Sequence, residues 1–502
     1  MKFVIEKIIP AIILFAIISS VFLFLISVSK YPAGDDPGYH TSILRYLINN
    51  EDVHFAIPFF PQLGTLYGEE RFVTNIFLAT VSKITGVADV FVLTIYFAAF
   101  CLSASLVFIY FIIRDWFQSN AIALLSIVFL GFSKWYQENF WEGSYDQHTG
   151  LFILSAVIFL LHRWHQNKKS IYLGVSIFLI AVLYKTHELG FLIALSLFSI
   201  LFLLYLKQTG RIRLYYIVMI GYFSAAFLLY YLYQPGYFAI SNTGYPVPKM
   251  LGIEEGTPQI AFQIILFGFI LSLLYTRNIF LFAWLGIVYI FSQSFLFGVP
   301  FYAYRFNVYF IQAGAILFAA TLYFILEFIR SHQIHRYARL ATVFACIVII
   351  FPVQFVYISG LSSWITSQNN NPASVILEED IEAFYWIRDH TSKDDAVLAP
   401  LKWGYYLPAI AERGVVLNDA VGGAQRDNRW NMARIGTEIY QTNSASIAQS
   451  MAKEIGVRFV LWDASISRFP DRYHGYQRAK FENTNKFSKV YEKNKVYIYE
   501  IL

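Results

Sequence analysis

Gly34-Asp35-Asp36-Pro37-Gly38-Tyr39-His40 places two adjacent carboxylates just beyond a hydrophobic segment long enough to cross a membrane. Charge beside hydrocarbon is costly and is retained where a partner, an ion or a substrate compensates it. A carboxylate in such a place can take a proton from an attacking hydroxyl or ligate a cation. The plainer account of the same residues is structural. Proline suits the first helical position and aspartate the N-cap before it, and Ile43, Leu44 and Leu47 follow at helical spacing, so Asp36 is also placed to cap a helix. The doubled acid, the membrane-boundary position and Tyr39 and His40 on the next turn weigh toward chemistry.

Three further clusters carry polar chemistry in an apolar chain. Glu142-Gly143-Ser144-Tyr145-Asp146-Gln147-His148-Thr149 offers oxygen and nitrogen donors just before a span expected near residue 149. Hard cations take several carboxylate or carbonyl oxygens, which Glu142 and Asp146 with a carboxylate of the first loop could supply; an N-cap on a solvated loop is the alternative. Lys185-Thr186-His187-Glu188 lies between two apolar segments and reads either as a site or as a tight chain reversal. Tyr304-Arg305 stands at the start of another span, with Tyr302 and Asn307 close by. Arginine forks onto phosphate, so Arg305 reads as an anion clamp, with snorkelling to the interface as its alternative.

The elements that must position these residues follow from composition. The 502 residues are 57% hydrophobic and 19% aromatic with only 14% charged, and the mean hydropathy is +0.51, which defines an integral membrane protein. Apolar segments fall near residues 8–28, 90–113, 119–132, 149–162, 171–184, 188–206, 214–233, 259–275, 279–298, 303–328 and 338–358, about eleven helical spans, some of them short. The first reads as a span rather than a signal peptide, because no small-x-small cleavage site precedes Lys30 and the run exceeds a usual h-region. Residues 72–84 read as an interfacial or re-entrant helix. Cys101 and Cys346 both sit in apolar segments and indicate packing rather than a bridge. No basic run interleaved with aromatics suggests nucleic acid.

Every second connection is basic: Lys2 and Lys7; Arg114; Arg163, Lys168 and Lys169; Lys207, Arg211 and Arg213; Arg277; Arg330, Arg336 and Arg339. The positive-inside rule makes these cytoplasmic and the C-terminus extracytoplasmic. Before the tail, only Glu6, Asp115 and Glu327 then lie inside, and all four polar clusters lie outside. After a polar linker at 359–377, around Gln368-Asn369-Asn370-Asn371-Pro372, the charged content rises. Residues 378–502 then alternate helical and β patterns: helix 380–390, strand 396–398, helix 405–413, strand 415–418, helix 447–455, strand 458–462 and a hairpin over 490–501 around Lys493-Asn494. The expected architecture is an α-helical polytopic membrane domain over 1–358 followed by a soluble α/β domain on the extracytoplasmic side.

With these motifs in place, the chain resembles the GT-C superfamily of membrane glycosyltransferases, which use polyprenyl-phosphate or polyprenyl-pyrophosphate sugars. Asp36-Pro37-Gly38-Tyr39-His40 resembles the Asp-Pro-aromatic signature in the first outward loop of oligosaccharyltransferase catalytic subunits. There Asp36 takes the place of the metal-binding, acceptor-activating aspartate, with Asp35 in support. The Glu142 to Asp146 run resembles the acidic motif of the second outward loop, and Arg305 resembles the arginine facing the lipid-linked phosphate. The resemblance implies an inverting transfer at the extracytoplasmic face of a multi-pass cell-membrane protein with a cytoplasmic N-terminus. Asp36 and Asp35 are then catalytic, Arg305, Lys185 and Tyr304 hold the donor phosphate, and Asp36, Asp146 and Glu142 are the candidate metal ligands. Tyr39, His40, Gln147, His148, His187 and Glu188 are further site candidates. A divalent cation, magnesium or manganese, is left open, because some branches of the superfamily manage without one. The tail's Leu401-Lys402-Trp403-Gly404-Tyr405-Tyr406 lacks the aspartate of the Trp-Trp-Asp-Tyr-Gly sequence that recognises the sequon, so the acceptor is open between a glycan, a lipid and a protein. The rival classes are a transporter or flippase of lipid-linked saccharides and a non-catalytic scaffold. Charges gathered at the outer boundary, with no repeated halves, favour the enzyme over a transporter.

Overall fold

The computed structural model describes residues 8–27, 36–50, 72–133, 136–137, 140, 145–210, 279–292, 307–331, 376–400, 406–417, 428–463, 466 and 475–502, apart from some side chains near helix ends, those of Asp36, Pro37 and Tyr39 included. The chain forms two compact units interleaved in sequence. One comprises Met1–Ser27, Ala98–Asn139 and Asp146–Ser362, the other Val28–Phe97, Phe140–Tyr145 and Ser363–Leu502.

The first unit is helical. Its elements are α1 (Ile9–Ile26), the greater part of α4 (Val90–Phe117), α5 (Asn120–Gly131), α6 (Tyr145–Asn167), α7 (Ser170–Thr186), α8 (Glu188–Gln208), α9 (Ile279–Ser292) and α10 (Asn307–Ser331). Residues 9–26, 90–117, 188–208 and 308–327 are long and apolar enough to cross a membrane. Hydrocarbon satisfies no backbone group, so a spanning segment closes its hydrogen bonds within a helix and can expose apolar side chains to lipid. Ile12, Phe15 and Leu23 of α1, and Ile171, Ile177 and Phe178 of α7, are exposed in that manner. The sequence segments 214–233, 259–275 and 338–358 lie outside the described residues. The span expected at 149–162 is not short: α6 begins at Tyr145 and runs for 23 residues. Its opening residues Asp146, Gln147 and His148 are buried in a helical turn, not held in a solvated loop.

At the far ends of α4 and α6, Asp115 lies 3.1 Å from both Arg114 and Arg163 and 3.8 Å from His162. Trp116 donates its indole N–H to His162 Nδ1 at 3.2 Å, and its ring packs edge-on against Phe280 of α9. At 1.5 Å per residue, the rise along α6 from Asp146 to His162 is roughly 24 Å, most of a hydrocarbon core of about 30 Å. One end of this helix thus carries Asp146, and the other the ion pairs of Asp115 with Arg114 and Arg163.

The second unit contains α2 (Asp36–Asn50), α3 (Phe72–Thr85), the start of α4 and the C-terminal α/β elements. The latter are α11 (Glu378–His390), β1 (Ala396–Ala399), α12 (Tyr406–Ala411), β2 (Gly414–Leu417), α13 (Asn428–Gln441), α14 (Ala445–Glu454), β3 (Phe459–Trp462), a 3-10 turn (Ala479–Glu482), β4 (Phe487–Lys493) and β5 (Val496–Ile501). The sheet order is β2-β1-β3-β5-β4, with β1 parallel to β2 and β3, and β5 antiparallel to β3 and β4. Val397 pairs with Val415 and Phe459, so the fully apolar runs of β1 and β3 sit where a central strand is covered on both faces. Tyr440 of α13 anchors the core: its phenol donates toward Leu398 O at 3.2 Å and Leu461 O at 2.6 Å, joining β1 to β3. The closing hairpin turns at Asn494 and Lys495, both at positive φ as a two-residue turn of the I′ kind requires.

Candidate functional site

The helix expected after the Asp-Pro pair is present. α2 opens on Asp36, and its apolar stripe buries Leu44 and Leu47 while Ile43 is half-buried. The turn that follows is interior. His40, Thr41 and Ser42 are buried, and Gly38 O accepts the Thr41 hydroxyl at 3.2 Å and the Ser42 hydroxyl at 2.6 Å. The first N–H groups of a helix have no intrahelical partner and favour negative charge. Asp36 is the first residue of this helix.

Within the helical unit, two sequence clusters meet. α7 and α8 are joined by the single residue His187, which is extended and buried. His187 N bonds Leu183 O at 2.8 Å, and its own carbonyl accepts from Phe191 N at 3.0 Å, so the chain reverses with the main chain satisfied. Its imidazole Nδ1 accepts Gly190 N–H at 3.4 Å as the cap of α8 and lies 2.8 Å from the hydroxyl of Tyr309 on α10. Nδ1 accepts the Gly190 N–H, and its contact with the Tyr309 hydroxyl joins the start of α8 to α10. α6 crosses against this corner through Gly150, where a Cβ would stand 2.5 Å from His187 Cβ. Asp146 is four residues earlier and shares that helix face. The neighbouring Gly190 is also tight, with Leu183 at 3.2 Å from a would-be Cβ. Small residues allowing close helix approach, with polar side chains bonding across it, are the usual means of fixing helices in a membrane.

One and a half turns deeper, Gln312 of α10 donates to Ser155 Oγ of α6 at 2.7 Å, and Ser155 passes the bond to Leu151 O at 2.7 Å. Tyr309 and Gln312, three residues apart on one face of α10, thus tie α6, α8 and α10 together below Asp146. Across the unit, Tyr136 bonds Ser105 and Leu102 O of α4.

The remaining candidates are placed as follows. Lys185, half-buried near the end of α7, holds its ammonium 4.8 Å from the ring centre of Tyr184. Glu188 is the first residue of α8 and half-buried. Tyr39 lies on the first turn of α2. Asp35, Glu142, Tyr304 and Arg305 lie outside the described residues. Among the described residues, no three His, Cys, Asp or Glu side chains come close enough to hold a metal. Of the carboxylates proposed for a cation, only Asp146 has a described side chain, so a donor set is not assembled here. Sequence reading missed Tyr309, Gln312 and Ser155. A buried glutamine three residues after a tyrosine in an otherwise apolar span was the available signal.

This architecture is the GT-C fold of membrane glycosyltransferases. An archaeal oligosaccharyltransferase from Archaeoglobus fulgidus superposes with a TM-score of 0.61 at 14% identity, over 92% of this chain and 70% of that one. ArnT from Cupriavidus metallidurans gives 0.57 at 10% identity over 97% of each chain. The mycobacterial arabinofuranosyltransferase AftD gives 0.58 at 12% identity, over 97% of this chain and 40% of the larger enzyme. In sequence, 132 residues are 26% identical to the Caenorhabditis elegans oligosaccharyltransferase subunit stt-3, covering 24% of this chain but only 16% of that protein. No protein-family profile matches. The similarity in fold therefore extends over nearly the whole chain, whereas the sequence match to stt-3 covers about a quarter of it. The resemblance seen in the motifs holds at the level of fold, and the chain is a multi-pass membrane protein.

Proposed function

We propose that the protein is a glycosyltransferase that moves a sugar from a polyprenyl-phosphate or polyprenyl-pyrophosphate donor to an acceptor at the extracytoplasmic face, with inversion at the anomeric carbon. The observation that carries this reading is the GT-C fold combined with a helix that opens on Asp36 and buries His40, Thr41 and Ser42 just after it. Related folds have been solved with a dolichol-phosphate and an inhibitory peptide, in the archaeal oligosaccharyltransferase, and with undecaprenyl phosphate, in ArnT. Residues 1–358 form the catalytic membrane domain in this reading and 378–502 an extracytoplasmic domain.

Asp36, supported by Asp35, accepts the proton of the acceptor group as its heteroatom attacks the anomeric carbon. The bond from that carbon to the phosphate oxygen breaks, and its electron pair leaves with the phosphate. Arg305, Lys185 and Tyr304 offset the charge that collects there. Asp146 and Glu142, with Asp36, are the residues that would hold a divalent cation, which would supply further charge stabilisation. Tyr39, His40, Gln147, His148, His187 and Glu188 are further candidates for the site. Attack opposite the leaving phosphate inverts configuration, as in single-displacement glycoside cleavage.

The test is to supply a polyprenyl-phosphate sugar and graded acceptors to the reconstituted protein and assign the product's anomeric configuration by proton NMR. Inversion supports the reading. Retention would remove the single displacement, and failure to consume any lipid-linked sugar from a panel of hexosyl and pentosyl donors would remove glycosyl transfer.

A further inference from the structure

Glu412, far along the chain from the acidic loops, grips the helix that opens on Asp36. Its Oε2 accepts a hydrogen bond from Asn49 Nδ2 at 2.9 Å, and its Oε1 lies 3.7 Å from Arg45 Nε. The same Nε donates to Ala409 O at 3.3 Å. Arg45 and Asn49 are four residues apart and so share one face of α2. That face packs on α12, and nearby Phe91 stacks on Tyr406 at 5.7 Å with ring planes 5° apart.

The backbone beneath Glu412 is built to hold it. Its N–H closes on Pro408 O at 3.1 Å, ending α12 with φ at +58°, the left-handed conformation that glycine adopts most readily. The next residue, Arg413, fastens the corner. Its guanidinium donates to Thr391 Oγ1 at 2.9 Å, Ala411 O at 3.1 Å, Glu412 O at 3.2 Å, Arg388 O at 2.5 Å and Thr391 O at 2.7 Å. A glutamate in a glycine position, on a corner fixed to α11, departs from local preference; its carboxylate attracts Arg388 and Arg413 of that corner and takes its side-chain hydrogen bond from Asn49 of α2. Departures of that kind are expected where function outweighs local stability. The Arg45 and Glu412 side chains are 22% and 28% exposed, so their attraction is screened and contributes little to overall stability. What the contact does supply is direction: it ties one face of α2, through Arg45 and Asn49, to the end of α12.

We infer that Glu412 is a positioning residue for the reaction, a clamp by which the C-terminal α/β elements hold α2 in the rotation that presents Asp36. This rests on the glycosyl-transfer reading above. It is tested on the full chain in nanodiscs by two independent readouts, amide hydrogen exchange along α2 and the kcat and KM of sugar transfer. Glu412→Gly suits the backbone and removes the side chain with its carboxylate. Its expected result is roughly fivefold faster exchange in α2, as for loss of one exposed ion pair with its hydrogen bond, with α11 and the sheet as protected as before. The kcat falls about tenfold while the donor KM stays put. The reversed pair, Arg45→Glu with Glu412→Arg, recovers both. Unchanged exchange in α2, or faster exchange throughout the C-terminal elements, overturns the clamp, as does an unaltered kcat in Glu412→Gly when wild type is active. If wild type transfers no sugar, the functional reading fails, and the exchange data still decide whether the clamp exists.

Discussion

Gly150→Ala probes the crossing of α6 on the His187 corner with a single carbon atom. The added Cβ would stand 2.5 Å from His187 Cβ, 3.0 Å from Cγ and 3.5 Å from Nδ1. Carbon pairs settle at about 3.5–4.0 Å, so α6 must retreat by roughly 1.0–1.5 Å or His187 must leave its place. Overpacking of this size costs about 1–3 kcal/mol, and displacing the imidazole also weakens its bonds to Tyr309 and Gly190, each of about 0.5–1.5 kcal/mol. Against this, alanine gains up to about 1 kcal/mol over glycine in a helix interior. The net expectation is a loss of about 1–3 kcal/mol. Gly174 and Gly286 provide the controls, because a Cβ at either meets nothing within 4 Å, so alanine there should gain about 0.5–1 kcal/mol. Thermal unfolding of the three variants in one detergent, followed by tryptophan fluorescence, gives the comparison. Gly150→Ala matching Gly174→Ala in stability would show that this crossing does not hold the polar cluster together.

Other expectations follow from the C-terminal elements. Arg413→Lys keeps the charge but loses the fork that reaches carbonyls of Arg388, Thr391, Ala411 and Glu412. It should cost about 2–4 kcal/mol in urea unfolding, and a cost under about 0.5 kcal/mol would contradict the assigned role. Lys480 is buried with its ammonium donating to Tyr440 O at 2.6 Å, and burial pulls its pKa down from 10.5 to about 7. The folded chain then binds fewer protons than the unfolded chain between those values. Stability should therefore rise with pH from about 7 toward 10, by at most about 1.4 kcal/mol per unit. Above about 10 the unfolded tyrosines ionise, while Tyr499, whose phenol burial pushes upward, stays protonated, so the rise ends there. Urea midpoints across this range should lose their slope in Lys480→Met, and equal slopes in the two proteins would refute the assignment.

How much of this could be read from the sequence differs by element. The start of α2 was legible because Asp36-Pro37 and the Leu44 and Leu47 stripe are local signals. The opening of α6 was not: Asp146-Gln147-His148 reads as a polar loop, and only packing against other helices puts those side chains inside. α13 escaped notice because its buried positions Ile435, Ile439 and Tyr440 are scattered among polar residues, and their burial comes from the sheet they cover. The meeting of Gly150 with His187, the reach of Tyr309 and the grip of Glu412 on α2 join residues between 37 and 367 positions apart. No window of sequence contains such contacts. What the sequence did carry was the turn at His187, where Lys185-Thr186-His187-Glu188 read as a tight chain reversal or a site and the chain does reverse.

In the proposed reaction Asp36 takes the acceptor's proton during sugar transfer. This step is tested most directly by the turnover of Asp36→Asn in nanodiscs supplied with a competent polyprenyl-phosphate donor and acceptor, with exchange along α2 confirming the fold. Loss of a general base predicts turnover lower by about a hundredfold or more with α2 still protected; near-normal turnover in that folded variant would contradict the claim.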